Sequence, residues 1–212
     1  MTTINNAKNK TSRHSMMTMF ISYNLHGKLH GECKKWHPNG QLIVSSVYKN
    51  GKLNGLCEIY QDDGQQLESN TYKNGKLHGN RVVWNNNGQT STHSVYSDGV
   101  LHGLRTIFNG NQTCEESVYN KGVLHGICKE FYPNGQQATE CTYWYGKKHG
   151  ISMHWSIKGL VIIDAQYVNN ELDYIDIHNL YASKSINLLR KLLTEDGTFI
   201  YSPLSFSDRK KL

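Results

Sequence analysis

The chain has 212 residues, 37% hydrophobic and 19% charged, with 19 glycines, 13 tyrosines and only 3 prolines. That balance suits short strands and many turns and argues against a thick helical core. The formal net charge of +6 favours acidic partners, but Lys and Arg are spread along the chain instead of concentrated beside readout elements, so nucleic acid is the least favoured of them.

Residues 1–19 are polar and basic and read as a flexible N-terminal segment. The apolar run that follows Ser15 is too short for the core of a secretory signal, and no stretch reaches the ~20 apolar residues of a membrane-spanning helix. Cys33, Cys57, Cys114, Cys128 and Cys141 are odd in number and form no Cys-x-x-Cys pair, which predicts reduced thiols instead of a disulfide framework. The expectation is an intracellular, cytoplasmic protein with no transmembrane segment.

Residues 20–174 carry an internal repeat of about six 24-residue units. Its marker is a glycine preceded by His or Asn: Gly31, Gly55, Gly79, Gly103, Gly126 and Gly150. Five residues after each comes an aromatic: Trp36, Tyr60, Trp84, Phe108, Phe131 and Trp155. Seven residues before five of them comes a tyrosine: Tyr48, Tyr72, Tyr96, Tyr119 and Tyr143, with Tyr167 opening a degenerate seventh unit. One turn signal follows each tyrosine, at Asn50-Gly51, Asn74-Gly75, Asp98-Gly99, Lys121-Gly122 and Tyr145-Gly146. A second recurs at Asn39-Gly40, Asp63-Gly64, Asn87-Gly88, Asn134-Gly135 and Lys158-Gly159, with the shorter fourth unit turning near Asn109-Gly110. Asn-Gly and Asp-Gly tolerate the positive φ of tight hairpins, so each unit is predicted to be one β-hairpin.

These residues resemble the MORN repeat in its variant form, as in bacterial YwqK-type antitoxin-like arrays and in expanded families of large DNA viruses. Tyr72-Lys73-Asn74-Gly75-Lys76-Leu77-His78-Gly79 and Phe131-Tyr132-Pro133-Asn134-Gly135-Gln136 carry the resemblance, which spans about residues 23–173. It implies an all-β fold, an elongated antiparallel meander of tandem hairpins. It also implies scaffolding, self-association or phospholipid binding as functions, and a viral origin with virion association as one setting.

Two strands per unit at ~4.8 Å put equivalent residues of neighbouring units roughly 9.6 Å apart. By alternation, residues one, three and five after each marker glycine share a face, which carries the aromatics and needs cover. The lysines after the tyrosines, Lys49, Lys52, Lys73, Lys76, Lys121, Lys147 and Lys148, predict a basic turn edge, whereas the opposite turns are neutral or acidic, as in Gln61-Asp62-Asp63.

In residues 175–212 the pattern stops. Ala182 to Leu193 reads as a short amphipathic helix with Ile186, Leu189 and Leu193 on one stripe, expected to cap the last hairpin, followed by a basic tail at Arg209-Lys210-Lys211.

His30, His78, His102, His125 and His149, with Asn54 in the second unit, hold one phase of the repeat. At ~9.6 Å spacing they cannot share a zinc, which needs nitrogens each about 2.0 Å from the ion, so a structural role beside the turn is expected. Cys128 and Cys141 become direct neighbours if Asn134-Gly135 makes a two-residue turn. No nucleophile with a base, paired acids or phosphate loop breaks the repeat phase, so neither catalytic residues, metal nor cofactor is expected. The reading is a non-enzymatic scaffold or protein interaction module, with self-association among its modes; the alternatives are an antitoxin-like inhibitor of one protein, or peripheral binding to anionic phospholipid through the lysine edge.

Overall fold

A computed structural model describes residues 18–178, and every strand in it pairs with its chain neighbours. The order is β1 (Thr18–Tyr23), β2 (Leu29–Trp36), β3 (Leu42–Lys49), β4 (Lys52–Tyr60), β5 (Gln66–Lys73), β6 (Lys76–Trp84) and β7 (Thr90–Ser97). It continues with β8 (Val100–Asn109), β9 (Gln112–Asn120), β10 (Val123–Phe131), β11 (Gln137–Trp144), β12 (Lys147–Trp155), β13 (Val161–Val168) and β14 (Glu171–Ile177). All lie in one antiparallel sheet in sequence order, the meander that the repeat predicts. The expected capping helix and both terminal segments, apart from Thr18 and Met19 and from 175–178, lie outside the described residues.

The two turn signals make two different turns. After each tyrosine the chain reverses in two residues with positive φ, as at Asn50 (52°) and Gly51 (84°) between the paired Lys49 and Lys52. That is the type I′ geometry whose twist matches the strands. On the opposite edge the loop is longer: Gly40 donates to the His37 carbonyl and His37 donates to that of Gln41, with Gly40 at φ 89°. The Asn39 carboxamide accepts from the Gln41 amide, and Asp63 and Asn134 act likewise towards Gln65 and Gln136. Their side chains thus hold the turn by local hydrogen bonds. The short fourth unit turns one residue later than expected, at Gly110-Asn111, between the paired Asn109 and Gln112.

The marker glycine sits in a bulge. Across β3 and β4, Ser46 pairs with Cys57 but Tyr48 with Leu53, so Asn54, Gly55 and Leu56 together face Val47. The same three-against-one pattern recurs between β1 and β2, β5 and β6, β7 and β8, β9 and β10, and β11 and β12. Gly55 has φ 126°, and a Cβ there would lie 3.2 Å from the Val47 Cβ, so both backbone and space demand glycine. Across the next pairing each marker glycine has a tyrosine as Cα partner, Gly55 with Tyr72 and Gly126 with Tyr143, and each tyrosine meets a leucine on its other side, as Tyr72 meets Leu77. Tyr143 is the exception, meeting Lys148.

Register divides the two faces. One continuous cross-strand row runs Cys33, Ser46, Cys57, Asn70, Arg81, Ser94, Arg105, Ser117, Cys128, Cys141, Ser152 and Ala165. It shares its face with the tyrosines. Ser94 and Ser117 on this row are each only 1% exposed. Small residues hold most of this row, and the two arginines in it, Arg81 and Arg105, alternate with Ser94 and Ser117. Arg81 bonds Glu68 at 3.1 Å and Arg105 bonds Glu115 at 3.3 Å, which keeps these charges paired. A more apolar cluster of Ile163, Ala165 and Tyr167 lies at β13.

The bulge predicts a specific sensitivity. Gly55→Ala should lower unfolding free energy by about 1–3 kcal/mol through the positive φ and the Val47 contact. Adding Val47→Ala should restore only part of it, because the backbone strain remains; urea denaturation of the two variants measures both terms.

Candidate interaction surface

The six predicted aromatics lie on the face opposite the tyrosines, since Glu58 and Leu56 pair with Ser69 and Thr71 and alternation continues to Tyr60. Trp36, Tyr60, Trp84, Phe108, Phe131 and Trp155 are all half-buried. The positions just after the marker glycines form a more open row beside them, with Leu56, Leu104, Ile127 and Ile151 exposed at the repeat pitch. Asn80 interrupts it in the third unit. The best-buried line is the serine and cysteine row on the other face, which carries no hydrophobic signature by which the sequence could have announced it.

The type I′ turns stack along one edge of the sheet. Each turn glycine donates to a leucine carbonyl at the start of the preceding hairpin: Gly51 to Leu29, Gly75 to Leu53, Gly99 to Leu77, Gly122 to Leu101 and Gly146 to Leu124, all at 2.7–2.8 Å. This stacking brings Lys49, Lys52, Lys73, Lys76, Lys121 and Lys147, all exposed, to the same edge. Lys28, which the repeat phase could have flagged, joins them, since a Cβ added at Gly51 would lie 3.9 Å from its Cβ. Lys148 departs from the group: it is half-buried, pairs with Tyr143 and holds its Nζ 5.2 Å from the centre of the Tyr167 ring. On the opposite edge His37 Nε2 lies 2.7 Å from Asp62.

The histidines have a local task. As the first residue of the bulge, His78 reaches the next type I′ turn, where its Nδ1 accepts from the Asp98 amide at 3.4 Å. His102 does so for Lys121 and His125 for Tyr145 at the same distance, and Asn54 Oδ1 accepts from Asn74 at 3.1 Å. His30 instead contacts the Asn50 side chain. A type I′ turn leaves the amide of its first residue facing the neighbouring hairpin, and a short acceptor at the bulge satisfies it. Asn54 stands in for His at this position because either side chain offers one.

Cys128 and Cys141 are direct Cα partners, as expected, but by a different route. The three-residue turn aligns Phe131 with Gln137, and a bulge between Glu130 and Phe131 then shifts the register by one, which restores the alignment that a two-residue turn would give. Both thiols are free. Burial raises the pKa of the Cys128 thiol, against a smaller lowering by the Ser117 hydroxyl, and burial with the neighbouring Cys141 and Cys128 raises that of the Tyr143 hydroxyl strongly. A thiol held protonated is a poor nucleophile, which disfavours reaction at Cys128.

Fold and surface together define a single-sheet, tandem β-hairpin repeat protein. A family model described as MORN repeat variant matches residues 29–50 and 124–145. The matched segments are four repeat units apart and in phase, each running from the strand that bears the marker glycine to the first residue of the next type I′ turn. A search of the curated proteins finds no match. Among the described residues, no helix is long and apolar enough to cross a membrane.

Two outcomes follow from the histidines. His102→Ala should cost about 0.5–1 kcal/mol, at the low end for a hydrogen bond because the contact is long. His102→Asn should cost less, since Asn54 fills that role in the second unit; equal losses in thermal melts would contradict the capping role. His154 is the second case. It lies between Thr139 and Ile163, and burial first, then Lys148, holds its pKa below the ordinary histidine value. On acidification through the ordinary histidine range the unfolded chain takes up a proton that the folded chain refuses, so stability falls there, and the loss ends below the lowered folded value. His154→Ile, which places in the sixth unit the residue found there in the second and fourth (Ile59 and Ile107), should lose less stability than the parent between neutral and mildly acidic pH in urea titrations.

Proposed function

We propose that this protein is a non-enzymatic interaction module that binds other proteins through its extended sheet face and turn edge. The observation that carries the reading is the exposed row of Leu56, Leu104, Ile127 and Ile151, which repeats at the unit pitch beside the aromatic row. Apolar side chains at regular spacing along a long sheet suit an elongated partner, as in other repeat proteins, where flat or concave arrays supply the binding surface. The two in-phase matches to the MORN repeat variant support a repeat module of this type. The row also suits a second copy of the chain, whose sheet could cover the same face.

A second reading is peripheral attachment to anionic phospholipid. Its support is the line of exposed lysines Lys28, Lys49, Lys52, Lys73 and Lys76 along one edge, each of which would gain electrostatically near a negative surface.

Crosslinking in the native host followed by mass spectrometry tests the first reading. Crosslinks from the lysine edge and the sheet face to one or a few protein partners, or to a second copy, are expected. Flotation of the chain with phosphatidylserine vesicles, with no protein crosslinks, would reject it in favour of the second.

A further inference from the structure

The fifth type I′ turn breaks the pattern of the array. Its first position is Tyr145 at φ 47°, where other units hold Asn50, Asn74, Asp98 and Asn169. A bulky side chain in the left-handed region costs stability relative to Asn or Asp, and burial does not compensate, because Tyr145 is 61% exposed. Lys121 is the one other departure, and it adds a charge to the same edge. Beside Tyr145, Trp144 is 53% exposed and occupies the position of Lys49, Lys73 and Ser97 in earlier units.

These two rings and His125 form one cluster. The His125 ring lies 4.3 Å from that of Trp144 and 4.8 Å from that of Tyr145, and the Trp144 and Tyr145 rings meet edge to face at 5.2 Å. The Tyr145 amide donates to His125 Nδ1 at 3.4 Å, and Gly146 donates to the Leu124 carbonyl, so the turn that carries the rings is tied to the hairpin below it. The rings are thus pre-positioned on a fixed turn. Val123 and Val100, both exposed, follow at successive unit steps along the edge, where the preceding units place Lys76 and Lys52. Lys147 pairs with Trp144, and Lys121 stands at the next turn. The nearest acids on this edge are Asp98 at the third turn and Glu171 beyond the last.

The turn edge is therefore amphipathic along its length, lysine-rich over the first units and aromatic and apolar over the last. We infer that the Trp144, Tyr145 and His125 cluster is the anchoring site for an acidic protein segment, which places a large apolar side chain on the rings and its carboxylates along Lys121 and Lys147 towards the lysines of the earlier units. Exposed Trp and Tyr on a fixed turn, with Lys147 opposite Trp144 and Lys121 one turn away, suit such a segment: the rings supply apolar area at little entropic cost, and the lysines select the charge. This deepens the interaction-module reading and rests on it.

The test uses the full chain and a phage-displayed library of random peptides. Acidic peptides bearing an aromatic or large aliphatic residue are expected to be enriched, with binding weakened by added salt. The double variant Trp144→Ser, Tyr145→Asn restores the turn residues typical of the array, so it should melt no lower than the parent while binding the selected peptides about tenfold more weakly or worse. A lower melting temperature would mean that the aromatics serve the fold, and would overturn the assignment. So would enrichment of peptides without acidic residues, or failure to select any. Undiminished peptide binding by the double variant would overturn the anchor but leave the interaction-module reading standing. Trp144-dependent binding to phosphatidylserine vesicles, with no peptide binding, would assign the cluster to a membrane surface instead.

Discussion

Each hairpin is locked to the one before it by the hydrogen bond from a turn glycine to a leucine carbonyl one unit back, as from Gly75 to Leu53. A single sheet has no second layer to fix the placement of its hairpins, so the strand ladders and these turn contacts carry that information together. The bulge at the marker glycine makes the lock possible. It sets three residues against one, and its first residue, His or Asn, then meets the amide of the next turn. Turn, bulge and cap form one device, and its recurrence makes the sequence periodic.

Two physical consequences follow. Each unit depends mainly on its neighbours, so stability accumulates along the array instead of arising from one central core. The central line of the tyrosine face is also built mostly from Ser, Cys, Asn and Arg, and its best-buried members, Ser94 and Ser117, are small and polar. The apolar signal that a sequence reader looks for therefore sits in two half-buried aromatic rows on opposite faces, and neither row is the fully buried line.

Strand order, both turn edges and the basic edge were legible because each depends on local chemistry: Asn-Gly turns, glycine spacing and lysines that follow tyrosines. The bulges were not, since neither the two-residue shift at the marker glycine nor the one-residue shift before the opposite turn leaves a mark within a single unit, yet they decide which residues stand opposite one another. Their cancellation with the three-residue turn is why Cys128 and Cys141 were paired correctly on the wrong turn geometry. Lys148 was grouped with the edge by sequence proximity, but its pairing with Tyr143 turns it onto the sheet face. The Trp144 and Tyr145 cluster was visible in the sequence only as a blemish in a turn motif. Its meaning required the φ angle and the ring distances.

The array also divides its surface by function of position. Small buried residues and paired charges fill the tyrosine face, whereas the opposite face and the turn edge carry side chains that the fold leaves exposed. Native-state amide hydrogen exchange tests the central claim most directly. The account predicts that the turn amides of Gly75, Gly99, Gly122 and Gly146 exchange as slowly as amides in the adjoining strands, although turn amides ordinarily exchange fast. Unprotected exchange at these glycines within an otherwise protected sheet would contradict it.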